Sequence, residues 1–384
     1  MKLEPSVERT RTPSQISFGT WAMAAVLLLM WLALAVLPAT RGVFLTRGNL
    51  TNLLLQGSVL LVISVGMTMV ILIRGIDLSV GSGVALTGMV AALCHVSLGL
   101  PVPVAMAAAL VVGALVGALH GFWVGWLGVP AFIVTLAGLK AYRGAALVIS
   151  DAKGVSRLGF DALVSRVPVC ATWILVLATL ALGLAITLRE ATRRKQLGLE
   201  PTPTKVIGAR IAGQLALAAG VLAIFASHGI PVPVLVAAAV ALAGIFVTKR
   251  TRFGRHMYAI GGNPEAARLS GVDVRKVTIG VYAILGLLTA LAGLLLAART
   301  DGVTPGTQGN LLELDAVTAV VIGGTSLLGG RGSITGTVLG ALVFATLANG
   351  MNHLHVSSNW QLIFTGTILL AAGTIDVLSK GKRS

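Results

Sequence analysis

The sequence predicts an all-α protein that crosses a membrane many times. Of its 384 residues, 56% are hydrophobic and only 11% are charged, and the mean hydropathy is +0.92; soluble domains carry about 25% charged residues. The charged residues fall in a few short stretches, so a soluble enzyme and a disordered chain are both excluded. The net charge of +16 indicates basic loops beside a membrane and no nucleic-acid partner, because no aromatic residues interleave with the basic ones.

Twelve apolar stretches are close to the length of about 20 residues that a helix needs to cross a bilayer. The stretch 315–328 is short and contains glycine pairs, which predict a broken or re-entrant helix. The first stretch follows a long polar segment without a small-residue cleavage site, so we expect it to stay in the mature chain. The twelve stretches are 18–38, 50–73, 78–99, 102–127, 129–149, 169–188, 211–228, 231–248, 277–298, 315–328, 334–353 and 360–378.

Lys and Arg residues are distributed unequally between the two sides of these stretches. When the N-terminus is placed in the cytoplasm, the cytoplasmic segments hold 21 Lys and Arg residues and the opposite segments hold 6. Positively charged loops are retained on the cytoplasmic side of a membrane. The distribution therefore predicts an even number of spans with both termini in the cytoplasm.

Motifs for nucleotide or metal chemistry are missing from the sequence. It holds no G-x-x-x-x-G-K-[ST] loop for a triphosphate and no H-E-x-x-H for zinc, so we expect no catalytic residue, metal or cofactor of the chain's own. Cys94 and Cys170 stand in apolar surroundings and are expected to be small core residues. His120 is isolated in the fourth stretch, which favours a packing role. Glu313 and Asp315 are expected either to be solvated or to contact a substrate or partner.

The loop between the second and third stretches, RGIDLSVGS at 74–82, carries polar residues within a glycine-rich turn. Asp77 and Ser79 are placed to cap the next helix through its free backbone N–H groups. A helix start explains these residues by itself; the alternative is that they line the inner part of a transport path. A similar glycine-rich pattern occurs in the tenth and eleventh stretches. The candidate path residues are Gly75, Asp77, Ser79, Ser82, Gly323, Gly324 and Thr325.

The most basic loop contains the pattern of a very short helix. Asn263 is a good N-cap, Pro264 suits the first helical position and Gly271 supplies a left-handed stop. A helix of about seven residues does not persist alone in water, so it needs either a groove on a partner or the membrane interface. Its small side chains argue against a membrane anchor. We therefore expect contact with a cytosolic partner through Asn263, Pro264, Glu265, Ala266, Arg268, Leu269 and Gly271.

Four motifs resemble, in order, the permease subunit of bacterial ABC importers for ribose, xylose, arabinose and galactose, and the xylose type is the most similar. They are GIDLSVGS at 75–82, VPAFIVTL at 129–136, the segment 252–271 and AVVIGGTSLLGGRGS at 319–333. The resemblance implies an inner-membrane permease that works with a cytosolic ABC ATPase, a periplasmic sugar-binding protein and a second permease copy in a homodimer, surrounded by membrane lipids. It also implies that the short helix is the coupling helix, which docks in the ATPase, and that ATP is bound by that partner.

The same resemblance implies a core of ten spans, so that two of the twelve stretches form an insertion. We expect 211–228 and 231–248 to form a hairpin outside this core. The expected division is a cytoplasmic segment 1–17, a first transmembrane half 18–188, a basic linker and inserted hairpin 189–248, a cytoplasmic coupling loop 249–276, a second transmembrane half 277–378 and a basic tail 379–384.

A twelve-span secondary transporter of the major-facilitator class is the alternative. Coupled carriers of this kind usually need carboxylates within the membrane, and this chain has few. Their loop between the second and third spans is basic, whereas this chain has RGID at 74–77. The resemblance therefore favours a sugar-transport subunit without enzymatic activity of its own.

Overall fold

Helices account for nearly all the regular structure in a computed structural model that describes residues 18–381. The predicted segment 1–17 and the end of the predicted tail 379–384 lie outside the described residues. The elements of the first half are α1 (Phe18–Val36), α2 (Arg47–Leu72), α3 (Val80–Ala92), a π-helix (Leu93–Ser97), α4 (Val102–Gly125), α5 (Ala131–Ile149), β1 (Val155–Ser156), α6 (Asp161–Val164) and α7 (Val169–Gln196). Those of the second half are α8 (Thr204–Phe225), α9 (Val232–Arg250), α10 (Arg252–Gly262), α11 (Pro264–Leu269), α12 (Val274–Thr300), β2 (Gly302–Val303), α13 (Leu312–Ile322), α14 (Ile334–His353) and α15 (Ser358–Gly381).

The predicted all-α, multi-pass class is confirmed. Each of the twelve predicted stretches contains a helix, and within residues 18–381 nine helices are long and apolar enough to cross a membrane. These nine are α2, α3 with its π-helix, α4, α5, α7, α8, α9, α12 and α14. The number of twelve spans stays a prediction, since α13 has only 11 residues. The cytoplasmic position of both termini also stays a prediction.

The centre of the helix bundle is α12, which packs against α2, α3 and α4. Glycines allow α4 and α12 to approach to backbone contact: a Cβ atom on Gly286 would overlap the carbonyl oxygen of Gly113, and one on Gly117 would overlap that of Tyr282. Small residues are common where membrane helices cross, because close backbones gain van der Waals contact. The α4–α12 pair is therefore held in one fixed register.

The prediction of a hairpin outside the core, made of 211–228 and 231–248, is wrong. α8 packs against α7 and has no fully buried residue in its apolar window, whereas α9 packs against α2 and α14. The reason is a stripe of small residues on α9 at Ala237, Ala241 and Gly244, which are all buried and permit a close helix crossing. The peripheral pair is α7 and α8, and α9 belongs to the core.

The two cysteines are not core residues, and that prediction is also wrong. Cys94 is half-buried in the π-helix and Cys170 is exposed in the first turn of α7. Both lie near helix ends, where fewer neighbouring helices cover them. Their apolar surroundings in the sequence match a surface that faces lipid as well as one that faces a core.

Two non-helical segments enter the bundle from opposite ends. Segment 73–79 connects α2 to α3, and segment 304–311 connects β2 to α13. Val303 lies beside Gly88, and Gly309 lies beside Gly81, so the second segment runs along two turns of α3, about 10 Å. α13 is short because the chain has covered part of the depth of the bundle without helical structure before Leu312, and because the helix ends at the glycine pair that begins at Gly323. Whether 315–328 re-enters or spans the membrane stays a prediction.

Candidate functional site

α11 is the short helix that its capping residues predict. Asn263 Oδ1 accepts hydrogen bonds from the backbone N–H groups of Glu265 (3.0 Å) and Ala266 (3.1 Å), and Pro264 occupies the first position. Gly271 has a φ of +82°, which favours glycine at a helix stop. The helix has six residues, one fewer than expected.

Within residues 18–381, one face of α11 is attached to the rest of the protein and the other is open. Ala267 is 4% exposed, whereas Leu269 is 80% exposed. Glu265 and Arg268 form an exposed ion pair, with 2.9 Å between Glu265 Oε1 and Arg268 Nη2. A large exposed apolar side chain beside charged groups is typical of a surface that a protein partner covers. The coupling role of this helix stays a prediction.

The loop that carries α11 is fixed on both sides. The Tyr258 hydroxyl on α10 donates a hydrogen bond to the carbonyl of Gly332 (2.9 Å), and burial raises the pKa of this hydroxyl. Asp273 caps α12 by accepting from the backbone N–H of Lys276 (3.1 Å). This hydrogen bond and the nearby Lys276 side chain lower the pKa of Asp273, so the cap is ionised at neutral pH.

Arg74 joins segment 73–79 to the end of α10. Its Nε donates to the carbonyl of Gly261 (2.9 Å) and its Nη2 to that of Gly262 (2.6 Å). Its φ of +67° is left-handed, a conformation that costs a non-glycine residue roughly 1–3 kcal/mol and persists only where its surroundings hold it. Because Gly262 directly precedes the cap residue Asn263, Arg74 binds the chain immediately before α11. The sequence analysis did not identify this contact.

The polar residues that follow Arg74 are buried. Asp77, Ser79 and Ser82 are 3%, 4% and 2% exposed. Asp77 Oδ1 accepts hydrogen bonds from the backbone N–H (2.8 Å) and the hydroxyl (2.6 Å) of Ser79. The prediction that Ser79 caps α3 with its side chain is wrong, because its hydroxyl is donated to Asp77 instead. Gly75 lies beside the Tyr282 hydroxyl, also inside the bundle.

His120 is not isolated, contrary to the prediction. Its Nδ1 lies 3.3 Å from Asp77 Oδ2, and the Tyr142 hydroxyl lies 2.7 Å from its Nε2. A neutral imidazole that donates from Nδ1 accepts at Nε2, so one tautomer satisfies both contacts. Three separate parts of the chain, segment 73–79, α4 and α5, meet in this cluster. No local pattern predicts this cluster, because Asp77 and Tyr142 are 43 and 22 residues away from His120.

A small cavity lies beside this cluster, lined by Asp77, His120 and Thr289 among others. Its volume of about 20 Å³ holds roughly one water molecule. The Thr289 hydroxyl has no hydrogen-bond partner among the described residues, and a water molecule in the cavity would supply one. The cavity is too small for a monosaccharide in this conformation.

The second group of candidate path residues, Gly323, Gly324 and Thr325, follows the last residue of α13. Gly323 packs against the backbone of α14, Gly324 has a φ of +81° and Thr325 is 1% exposed. Further along, the backbone N–H of Gly330 donates to the carbonyl of Leu72 (2.9 Å), the last residue of α2 before segment 73–79. The first group, Gly75, Asp77, Ser79 and Ser82, is thus buried, whereas in the second group Thr325 is buried and Gly324 is exposed. The place of both groups on a path stays a prediction.

Segment 304–311 is fixed by an arginine of α5, which the sequence analysis also missed as a functional residue. Arg143 Nη1 donates hydrogen bonds to the carbonyls of Pro305 and Gln308, both at 2.8 Å. Glu313, just after the segment, is 8% exposed and lies beside the start of α3. Of the two expectations for Glu313, full solvation is therefore excluded; Asp315 is half-buried.

Comparison with known proteins gives one consistent group of relatives. The family model described as the permease component of the branched-chain amino acid transport system matches residues 49–373. The chain is 42% identical over 347 residues to the xylose transport system permease protein of Escherichia coli (strain K12), which covers 89% of this chain and 88% of that protein. The corresponding protein of Haemophilus influenzae is 40% identical over 363 residues, 92% of this chain and 96% of that protein.

Similarity extends to ribose systems. The ribose import permease protein of Escherichia coli (strain K12) is 38% identical over 357 residues, 93% of this chain and 94% of that protein. No solved structure gives a match. The matches cover most of the chain and exclude the alternative of a major-facilitator carrier. The chain therefore belongs to the family of sugar ABC importer permeases, as a multi-pass protein of the bacterial inner membrane that is similar to the xylose type.

Proposed function

We propose that the chain is the transmembrane subunit through which an ATP-driven importer carries a xylose-like pentose across the inner membrane. The chain changes no covalent bond; ATP is bound and hydrolysed by a separate cytosolic ABC ATPase. The observation that supports this most is the form of α11, a capped helix of six residues that exposes Glu265, Arg268 and Leu269.

α11 suits a groove on the ATPase. The helix is too short to be stable alone, and its inward contact is made by the small side chain of Ala267. Its outward face offers one apolar side chain, Leu269, and both signs of charge. Closure of the ATPase around ATP would move α11, and sugar release would be coupled to that movement by reciprocal linkage between the two sites.

The proposed assembly also contains a second copy of the chain and a periplasmic sugar-binding protein. α4, α5, α7 and α8 bury less than a quarter of their apolar windows within the chain. These faces are available to lipids and to the second copy. The preference for a pentose follows from the relatives, whose names specify xylose or ribose transport.

ATP-dependent uptake of labelled xylose and ribose into proteoliposomes tests the proposal, with the permease reconstituted together with its ATPase and sugar-loaded binding protein. We expect xylose uptake that requires ATP, and no ATP hydrolysis by the purified permease alone. Uptake that continues without the ATPase, or ATP hydrolysis by the permease alone, would contradict the proposal.

Two variants test docking through α11. Glu265→Lys places a like charge beside Arg268, and Gly271→Val strains the left-handed stop. We expect uptake and retained ATPase to fall together by about tenfold or more, because a like-charge mismatch at an interface costs several kcal/mol. Glu200→Lys is the matched control, since Glu200 is exposed between α7 and α8. Normal uptake and normal ATPase retention in both α11 variants would exclude this helix as the coupling element.

A further inference from the structure

Segment 304–311 reaches the middle of the helix bundle. Its inner end, Gly309, lies beside Gly81 at the start of α3. Gly83, two residues further along α3, lies beside Thr289, which is near the middle of the 27-residue α12. The inner end of the segment is therefore about level with the centre of a membrane-spanning helix.

The segment has one attached side and one open side. On the attached side, Arg143 donates to the carbonyls of Pro305 and Gln308. On the open side, Thr304, Thr307 and Asn310 are exposed. Among the described residues, no hydrogen bond to the side-chain polar atoms of these three residues is observed.

An open non-helical segment at this depth cannot face lipid. Hydrocarbon offers no partners to backbone N–H and C=O groups, so irregular backbone at membrane depth occurs only where protein buries it or where it lines a water-filled cavity. Protein covers the side that Arg143 holds, but not the side of Thr307 and Asn310. The open side therefore requires water, or polar groups that replace water.

We propose that Thr304, Thr307 and Asn310 form a subsite for the transported monosaccharide on the water-filled path of the permease. This inference rests on the proposed transport function. It places the sugar subsite in segment 304–311 and not in 75–82. The two Thr hydroxyls and the Asn amide can each donate and accept hydrogen bonds. The hydroxyl groups of a sugar do the same, so the two sets of groups can pair. Interrupted helices at mid-membrane are where many transporters bind their substrates.

Thiol labelling of the assembled transporter tests whether the open side faces water. In a chain with Cys94→Ser and Cys170→Ser, the variants Thr307→Cys and Asn310→Cys are treated with a membrane-impermeant methanethiosulfonate, in the nucleotide-free and the ATP-bound states. Leu217→Cys is the control, because Leu217 is 71% exposed near the middle of the peripheral helix α8. We expect positions 307 and 310 to react about tenfold faster than position 217 in at least one state, as water access to the thiolate requires.

The same variants test contact with sugar. We expect excess xylose, delivered with the loaded binding protein, to slow the labelling of positions 307 and 310. Labelling that is as slow as at position 217 in both states, as it would be if the second copy or lipid covered the segment, overturns the proposal. Fast labelling that no transported monosaccharide slows also overturns it.

Uptake kinetics provide a second test. Thr307→Val removes one hydroxyl and keeps the shape of the side chain, so we expect KM for uptake to rise about three- to tenfold, the effect of one hydrogen bond, with unchanged ATPase retention. Thr192→Val, at an exposed position of α7, is the control and should leave KM unchanged. If wild-type protein takes up no sugar, the proposed function fails; if it does and Thr307→Val matches Thr192→Val, only the subsite fails.

Discussion

The two non-helical segments of the bundle, 73–79 and 304–311, meet the same physical requirement in different ways. Backbone at membrane depth needs hydrogen-bond partners. Segment 73–79 supplies much of its own bonding, through Asp77 and Ser79, and both residues are less than 5% exposed. Segment 304–311 forms turns through backbone hydrogen bonds of its own, is held to another helix by Arg143, and leaves Thr307 exposed.

The difference separates a fixed part of the fold from a part that is open to solutes. Buried polar groups with satisfied bonds are costly to disturb, so we expect segment 73–79 to stay in place and to connect Arg74 with His120. Segment 304–311 is fixed on one side only, and its other side is free to exchange water for sugar. Glycine-rich, polar sequence is common to both segments, and burial distinguishes them.

The largest effect on stability is expected for Arg143→Leu. The substitution leaves the carbonyls of Pro305 and Gln308 without their donor, and each buried polar group left unsatisfied costs about 1–3 kcal/mol. Thermal denaturation of the detergent-solubilised protein should show the largest fall in Tm of the variants considered. Lys140→Leu is the control, because Lys140 is exposed on the same helix. Equal Tm values for the two variants would mean that Arg143 does not hold segment 304–311.

A smaller but clear loss is expected for Asp77→Ala. It removes the acceptor of two Ser79 hydrogen bonds and the partner of His120, at a cost of about 1–3 kcal/mol. The control is Asp151→Ala, whose exposed pair with Lys153 is worth roughly 0–1 kcal/mol. If both variants had the same Tm, the hydrogen bonds of Asp77 would not hold segment 73–79 in place.

The smallest effect on stability is expected for Arg74→Gly. The loss of two hydrogen bonds is offset by relief of the left-handed φ, which glycine adopts freely. The free energy of unfolding should therefore change by less than about 1 kcal/mol, and Tm should change little. Hydrogen exchange should nevertheless become faster at the amides around 262–266, because the clamp on the start of α11 is lost. The control is Arg255→Ala on the exposed face of α10. Unchanged exchange in Arg74→Gly would show that this contact does not hold α11.

Local features of the chain could be predicted from the sequence, and α11 is the clearest example. Its cap Asn263, its first residue Pro264 and its stop Gly271 lie within nine consecutive residues and act on neighbouring backbone groups. The all-α class was predictable for a similar reason, since the apolar stretch of each helix is visible in its own sequence.

Features that depend on packing between distant segments could not be predicted. The depth of segment 304–311 is set by contacts of Val303 with Gly88 and of Gly309 with Gly81, whereas its Thr, Gly and Asn residues are equally typical of a solvated loop. The same holds for His120, whose partners come from two other parts of the chain. Overall hydrophobicity does not distinguish α9 from a peripheral helix; its stripe of small residues, Ala237, Ala241 and Gly244, does.

Docking of α11 in an ATP-binding partner is tested most directly by photo-cross-linking in intact cells. A photoreactive amino acid replaces Leu269, which is 80% exposed on α11, or, as the control, Leu217, which is 71% exposed on α8. We expect position 269 to give an adduct that contains the ABC ATPase subunit and position 217 to give none. Adducts of position 269 that contain no ATPase, or equal ATPase adducts at both positions, would contradict docking through α11.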